Sequence, residues 1–286
     1  MIFLGSQLME DTKVIDQSDG TVDEAAEAVV EILSPEESKL MHEMMELGIF
    51  YGRSKSRTNP KMKPFIVNNR SGFGVINLRK TYVALQKLNE VVADAVQKQG
   101  LILLVGTSPS VKNAIKEAAD ELGLPYVTER WLGGTLTNFD TISKRIKYFK
   151  KLREDKMSGE LAKYTKKEQL KLERELFKLE KLFGGIRNLD RIPSLVFVAD
   201  LRNNELAAKE AREVGVKVVG ILNTDANPDL VDYGIPANDR NRDGVEFLVN
   251  KFKTAIQEER AKLPVVKENQ EQPVVKAKSN NIIKKD

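Results

Sequence analysis

Trp131-Leu132-Gly133-Gly134-Thr135-Leu136-Thr137-Asn138-Phe139 is the corner on which the chain turns. Ahead of it Pro125-Tyr126-Val127-Thr128-Glu129-Arg130 is short and extended in pattern; behind it a helical periodicity begins and continues, with one break, to about Phe183. Adjacent glycines tolerate positive φ and allow a second backbone to come close, which a strand-to-helix corner requires. Thr137 or Asn138 can accept from the first unpaired amides of the following helix, so the corner is expected to supply its own cap. Trp131, the one tryptophan, is the largest apolar body available to anchor the corner in a core. Trp131, Gly133, Gly134 and Asn138 are therefore the expected structural joint.

On both sides of this corner the pattern alternates between strand and helix. Strands are expected at 72–78, 101–106, 126–129, 195–199, 216–222 and, as a short edge, 233–238. Helices are expected at 35–47, 79–98, 109–122, 203–214 and 243–262. Leu101-Ile102-Leu103-Leu104-Val105 and Leu195-Val196-Phe197-Val198-Ala199 are continuous apolar runs, as in strands covered on both faces. Such alternation predicts an α/β fold, a doubly wound and mainly parallel sheet of about five strands. One segment interrupts it. Phe139, Ile142, Ile146, Phe149 and Leu152, then Leu172, Leu176, Leu179 and Phe183, recur at spacings of three and four, the seam of a two-helix coil. Ser158-Gly159 can reverse the chain between them. The expected organisation is an acidic disordered tail over 1–34, an α/β domain over 35–263 with an antiparallel helical coiled-coil hairpin inserted at 137–186, and a disordered basic tail over 264–286.

Charge is divided unevenly. The 286 residues carry a net +4, yet residues 1–37 hold ten Asp or Glu against one Lys, so the remainder carries +13. A globular body with that surplus attracts polyanions, nucleic acid first and anionic membrane second. No apolar run reaches the roughly 20 residues of a bilayer span, and the start has no basic stretch ahead of an apolar one, so neither a membrane anchor nor a secretory signal is expected. With no cysteine, disulfides and thiolate metal sites are excluded, and a reducing cytoplasm fits.

The strongest electrostatic signal is the stretch Leu47 to Asn89, which has no acidic residue and nine basic ones. Much of it, Gly52 to Arg70, is rich in Ser, Asn, Pro and Gly and reads as loop, where cationic ends can reach phosphates. Arg53, Lys55, Arg57, Lys61, Lys63 and Arg70 are the candidate RNA contacts there. Tyr51 and Phe65 could stack on bases, though core packing is the simpler reading. The hairpin has a surplus of six positive charges over residues 137–183, and Lys144, Arg145, Lys147, Lys150 and Lys151 form a second candidate set.

Catalysis has no visible apparatus. Ligands of such sheets lie beyond the carboxyl ends of the strands, where Gly106-Thr107-Ser108-Pro109-Ser110, Asp200 and Asp225 stand. The first could hold a phosphate, but it matches neither dinucleotide nor P-loop spacing and reads more simply as an N-cap. Asp200 and Asp225 could share Mg²⁺, although acids at strand ends commonly cap turns. His42 is the only histidine and lacks the partner of a zinc helix. No Gly-x-Ser-x-Gly elbow exists. No catalytic residue, cofactor, metal or small-molecule substrate is expected. The rivals are a phosphate-handling enzyme using Asp200 and Asp225, and a scaffold whose coil docks a partner helix.

Several strings carry a family resemblance. Leu47-Gly48-Ile49-Phe50-Tyr51-Gly52-Arg53, Asn59-Pro60-Lys61-Met62-Lys63-Pro64, Arg130 to Phe139, Pro193 to Asp200, Asn223-Thr224-Asp225-Ala226-Asn227-Pro228-Asp229 and Ile235-Pro236-Ala237-Asn238-Asp239 resemble the small ribosomal subunit protein 2 family of bacterial type, in order over about residues 38–260. The resemblance implies a structural, non-catalytic constituent of the small subunit, cytoplasmic within the ribosome. It implies small-subunit ribosomal RNA and neighbouring ribosomal proteins as partners, in many bacteria including protein S-one. Where the family has a Gly-x-His-Phe-Gly-His string this chain has Phe50 and Arg53. A metal or pH-sensitive role of those histidines therefore does not carry over, whereas Arg53 supplies a permanent charge for phosphate.

Overall fold

The computed structural model describes residues 35–263; the acidic and basic tails expected at 1–34 and 264–286 lie outside the described residues. Its centre is a five-stranded sheet: β4 (Ile102–Val105), β5 (Tyr126–Val127), β6 (Leu195–Val198), β7 (Lys217–Leu222) and β8 (Tyr233–Pro236), in the order β5-β4-β6-β7-β8 with every pairing parallel. The expected fold class and the edge position of β8 agree with this.

Because successive side chains of a strand face opposite ways, the apolar runs feed two cores at once. Ile102 and Leu104 enter one cluster with Leu195 and Phe197, while Leu103 and Val105 enter the other with Val196 and Val198. Helices α1 (Pro35–Glu46), α3 (Leu88–Gln97), α4 (Lys112–Leu122) and α8 (Arg242–Ala261) contribute to the first core, where Phe197 and Phe252 stack at 4.1 Å. Helix α7 (Glu205–Glu213) contributes Ala207, Ala208 and Ala211 to the second. Gly123 and Gly159 take positive φ where α4 ends and where the chain turns after α5 (Phe139–Met157).

Ile142, Ile146, Phe149 and Leu152 of α5 and Leu176, Leu179 and Phe183 of α6 (Lys166–Phe183) are buried in one cluster, with Phe139 and Leu172 half-buried against it. The seam read from the sequence is thus the packed line of these two helices. Lys156 and Glu173 pair across it at 3.4 Å, and a capping box of Thr165 and Glu168 starts α6.

Three expectations need correction. Gly52 to Arg70 is not loop throughout: β1 (Tyr51–Ser54) and β2 (Ile66–Arg70) pair with β3 (Phe73–Ile76), which is the strand expected at 72–78, in a separate antiparallel sheet of order β1-β3-β2, with 3₁₀ turns at Lys55–Arg57 and Pro60–Phe65 between β1 and β2. The 79–98 helix is two, α2 (Leu78–Gln86) and α3, separated at Lys87 (φ −83°, ψ −3°). The half before the break packs on β8 and the half after it on α8. Finally α4 begins at Lys112 rather than Pro109, because the hydroxyls ahead of it are engaged elsewhere.

Candidate nucleic-acid interface

The carboxyl ends of β4, β6 and β7 carry the groups that would serve a small ligand, and the structure spends them internally. Asp200, fully buried, accepts from the Thr107 N–H (3.2 Å), the Ser108 N–H (2.8 Å), the Ser108 hydroxyl (2.6 Å) and the Asn204 amide. The amides that could have cradled a phosphate thus already face a carboxylate, which would repel one. Ser110 donates to the Asp239 carbonyl at 2.9 Å, and α4 starts behind Val111 with no side-chain cap. Neither the phosphate reading nor the N-cap reading of residues 106–110 holds.

Asp225 does not join Asp200 around a cation. It faces Arg53, whose Nε lies 3.2 Å from Asp225 Oδ2 and whose Nη2 lies 2.9 Å from Asp239 Oδ1. Among the described residues no group of three or more His, Asp or Glu is placed to hold a metal ion, and His42 lies exposed on α1 beside Glu46. Burial pushes the Asp239 carboxyl above the ordinary range, outweighing the Asn223 hydrogen bond and the Arg53 charge that pull it down.

Arg53 is consequently not presented to solvent. Its side chain is 12% exposed and its backbone N–H donates to Thr224 Oγ1 at 2.7 Å, so it pins β1 to the end of β7. The Asn59 N–H adds a bond to the Thr224 carbonyl at 2.8 Å. Gly52 makes this close approach possible, since a Cβ there would sit 2.7 Å from the Gly74 carbonyl oxygen and 2.5 Å from Thr224 Cγ2.

The other cations of the stretch behave differently. Lys55, Arg57, Lys61, Lys63 and Arg70 are all exposed. Lys61 is bound to Asp229; Lys55, Arg57, Lys63 and Arg70 carry no ion pair among the described residues. Arg57 lines a cavity of about 740 Å³ with Arg53, Asp225 and Asp239 and with Arg202 and Arg240, and the sequence reading singled out neither of the last two. Tyr51 is 56% exposed, contrary to the core position preferred for it, while Phe65 is half-buried with Lys80 Nζ 5.3 Å over its ring. On α5, Lys144, Arg145, Lys147, Lys150 and Lys151 are exposed beside the buried seam, without ion pairs among the described residues.

The Trp-Gly-Gly corner is held by a residue that sequence reasoning missed. Glu210 of α7, 4% exposed, accepts from Trp131 Nε1 (3.1 Å), the Gly134 N–H (2.8 Å), the Leu136 N–H (3.0 Å) and, more weakly, the Thr137 N–H (3.4 Å). Asn138 occupies the cap position of α5 but makes no side-chain cap bond. Gly134 takes φ +87°, whereas Gly133 shows no positive φ; Trp131 is buried as expected. The one hint of Glu210 in the sequence is an acid sharing the inward face of α7 with Ala207 and Ala211.

Comparison with known proteins agrees with the residues that carry the resemblance. The family described as Ribosomal protein S2 matches residues 44–259. Similar proteins, each called Small ribosomal subunit protein uS2, include one from Coprothermobacter proteolyticus, 40% identical over 220 residues that cover 77% of this chain and 82% of the relative. Another, from Bifidobacterium animalis subsp. lactis, is 44% identical over 76% of this chain and 72% of its own length. A third, from Desulfovibrio desulfuricans, is 39% identical over 76% of this chain and 84% of its own length.

Proposed function

The chain belongs to the ribosomal protein S2 family, and we infer that it serves as a structural, non-catalytic component of the small ribosomal subunit. Its place is then the ribosome, in the cytoplasm of a bacterial cell, with ribosomal RNA and neighbouring small-subunit proteins as partners. The residues by which it meets RNA are the further part of the reading. We assign phosphate contacts to Lys55, Arg57, Lys63 and Arg70, with Lys61 after release from Asp229, and to Lys144, Arg145, Lys147, Lys150 and Lys151 on α5. Protein S-one is proposed among the protein neighbours on the resemblance alone.

One observation carries the RNA reading: in a stretch without a single carboxylate, seven exposed cations, Lys55, Arg57, Lys63, Arg70, Arg79, Lys80 and Lys87, have no ion pair among the described residues. Such groups are available to phosphates, where they position the protein and read no sequence. Binding to small-subunit RNA fragments measured against salt tests this. Affinity should fall roughly ten- to a thousandfold over a few-fold rise in salt, and replacing Arg57, Lys63 and Arg70 by Gln should flatten the slope. A flat dependence in the unaltered protein would defeat the assignment.

A further inference from the structure

The outer face of the small sheet carries chemistry beyond phosphate contact. Phe73 and Val75 point to one side of β3, while Gly74 and Ile76 point inward and are buried. Tyr51 lies opposite Val75 and Arg70 opposite Phe73, so register puts all four on the outward side. Tyr51 and Phe73 are 56% and 51% exposed, an unusual placement for two aromatic rings. Phe50 lies against the Tyr51 ring at 4.1 Å and braces it.

Both rings line a cavity of about 220 Å³ together with Arg57 and Arg240. The 740 Å³ arginine cavity shares Arg53, Arg57 and Arg240 with it, so the two adjoin. Arg57 and Arg240 are exposed and carry no ion pair among the described residues, while Arg202 is held by Glu205 at 2.6 Å. The cavity walled by the two rings thus adjoins one in which Asp225 and Asp239 are taken up by Arg53 and the guanidinium groups of Arg57 and Arg240 are left for an anion. This is the layout of a nucleotide, with a ring system that stacks and a phosphate that takes guanidinium hydrogen bonds.

Building on the RNA reading above, we propose that Tyr51 and Phe73 stack an unpaired base of single-stranded RNA, and that Arg57 and Arg240 hold the adjoining phosphate. The strand is single because a paired base is covered on both faces by its neighbours and cannot reach the rings. Charge favours a strand over a protein segment: the face lies in the acid-free stretch, with Arg70 beside the rings and Lys55 just beyond β1.

The test uses the full chain and fluorescence anisotropy with a labelled short oligouridylate and with its duplex with oligoadenylate. Tyr51→Leu and Phe73→Leu should each weaken binding of the single strand about fivefold or more, leaving duplex binding and the salt slope unchanged. Arg57→Gln combined with Arg240→Gln should instead lower the single-strand salt slope by about 0.7, the share of one phosphate. Melting followed by Trp131 emission confirms that each variant is folded. Rings that matter equally for both RNA forms, or for neither, overturn the proposal while the steep salt dependence leaves the phosphate reading standing. Flat salt dependence for both forms sinks the two together. Uridine monophosphate binding as tightly as the oligonucleotide would make the site one for free nucleotides, and would overturn the assignment to a strand.

Discussion

Replacing Glu210 by Ala tests whether a single buried carboxylate sets the corner between the sheet and the paired helices. Its Oε1 accepts from Trp131 Nε1 at 3.1 Å and Gly134 N at 2.8 Å, and its Oε2 from Leu136 N at 3.0 Å. The two contacts of Thr137 at 3.4 Å are long and add little. Truncation leaves three well-formed donors without an acceptor, each worth about 1–3 kcal/mol, so the expected cost is roughly 3–9 kcal/mol. At about 2–4 °C per kcal/mol for a protein of this size that is a fall in Tm of roughly 6–36 °C. Thermal melting should be read by Trp131 emission, because the indole itself loses a partner. Glu210→Gln keeps the shape but turns one acceptor oxygen into an NH₂ facing backbone N–H groups; it should cost less than Ala, about 1–3 kcal/mol. A Glu210→Ala protein melting within about 2 °C of the unaltered one would show that the corner holds itself, and the account of α5 placement would go with it.

Arg53→Met should destabilise by about 3–5 kcal/mol, since it strands two carboxylates at the strand ends. The loss should depend on pH. Asp239 titrates higher folded than unfolded, so its burial costs stability above the folded value and costs nothing below the unfolded one. Removing Arg53 raises Asp239 further, so the Tm gap to the unaltered protein should narrow on acidification; a gap constant with pH would refute the pairing. Gly52→Ala should loosen the small sheet, because the added Cβ meets the Gly74 carbonyl and Thr224; hydrogen exchange should rise in β1 and β3 while β4 and β6 stay protected, and unchanged exchange in β1 would contradict the close approach. Trp131→Ala should cost about 3–5 kcal/mol, and unchanged melting would remove its anchoring role.

The parallel sheet was legible because its signal is local and redundant. Leu101 to Val105 and Leu195 to Ala199 need both faces covered whatever surrounds them, and Gly123, Gly159 and the heptad-like spacing of Ile142, Ile146 and Phe149 mark turns and seam within a few residues. Of the small sheet only β3 was legible, as the strand expected at 72–78; β1 and β2 escaped because they are four and five residues long, irregular in register and separated by 3₁₀ turns. At that length Ser, Asn and Pro outweigh the period-two signal. The break at Lys87 escaped for another reason. Apolar periodicity runs through it without Gly or Pro, and only the change of packing partner, from β8 to α8, divides the helix.

What a local reading could not supply was which charges are already spoken for. Arg53 stands in a stretch with no acid for dozens of positions, so by sequence it is as available as Arg57; its partner Asp239 is 186 positions away. The same topology that brings β7 and β8 side by side presents Asp225 and Asp239 to one guanidinium, while Arg57, four residues further on, remains exposed without an ion pair among the described residues. Net charge therefore overstates the cations a polyanion can meet. The corrected set is smaller: Arg70 lies on β2, Lys55, Arg57 and Lys63 lie on the 3₁₀ turns that join β1 to β2, and Arg57 sits with Tyr51 and Phe73. Because part of the surplus is consumed in fixing the small sheet to β7, losing the Arg53 pairings should weaken RNA binding through misplacement of Arg57 and Arg240 as well as through stability. Such an effect would show as reduced affinity at temperatures where the variant is still folded.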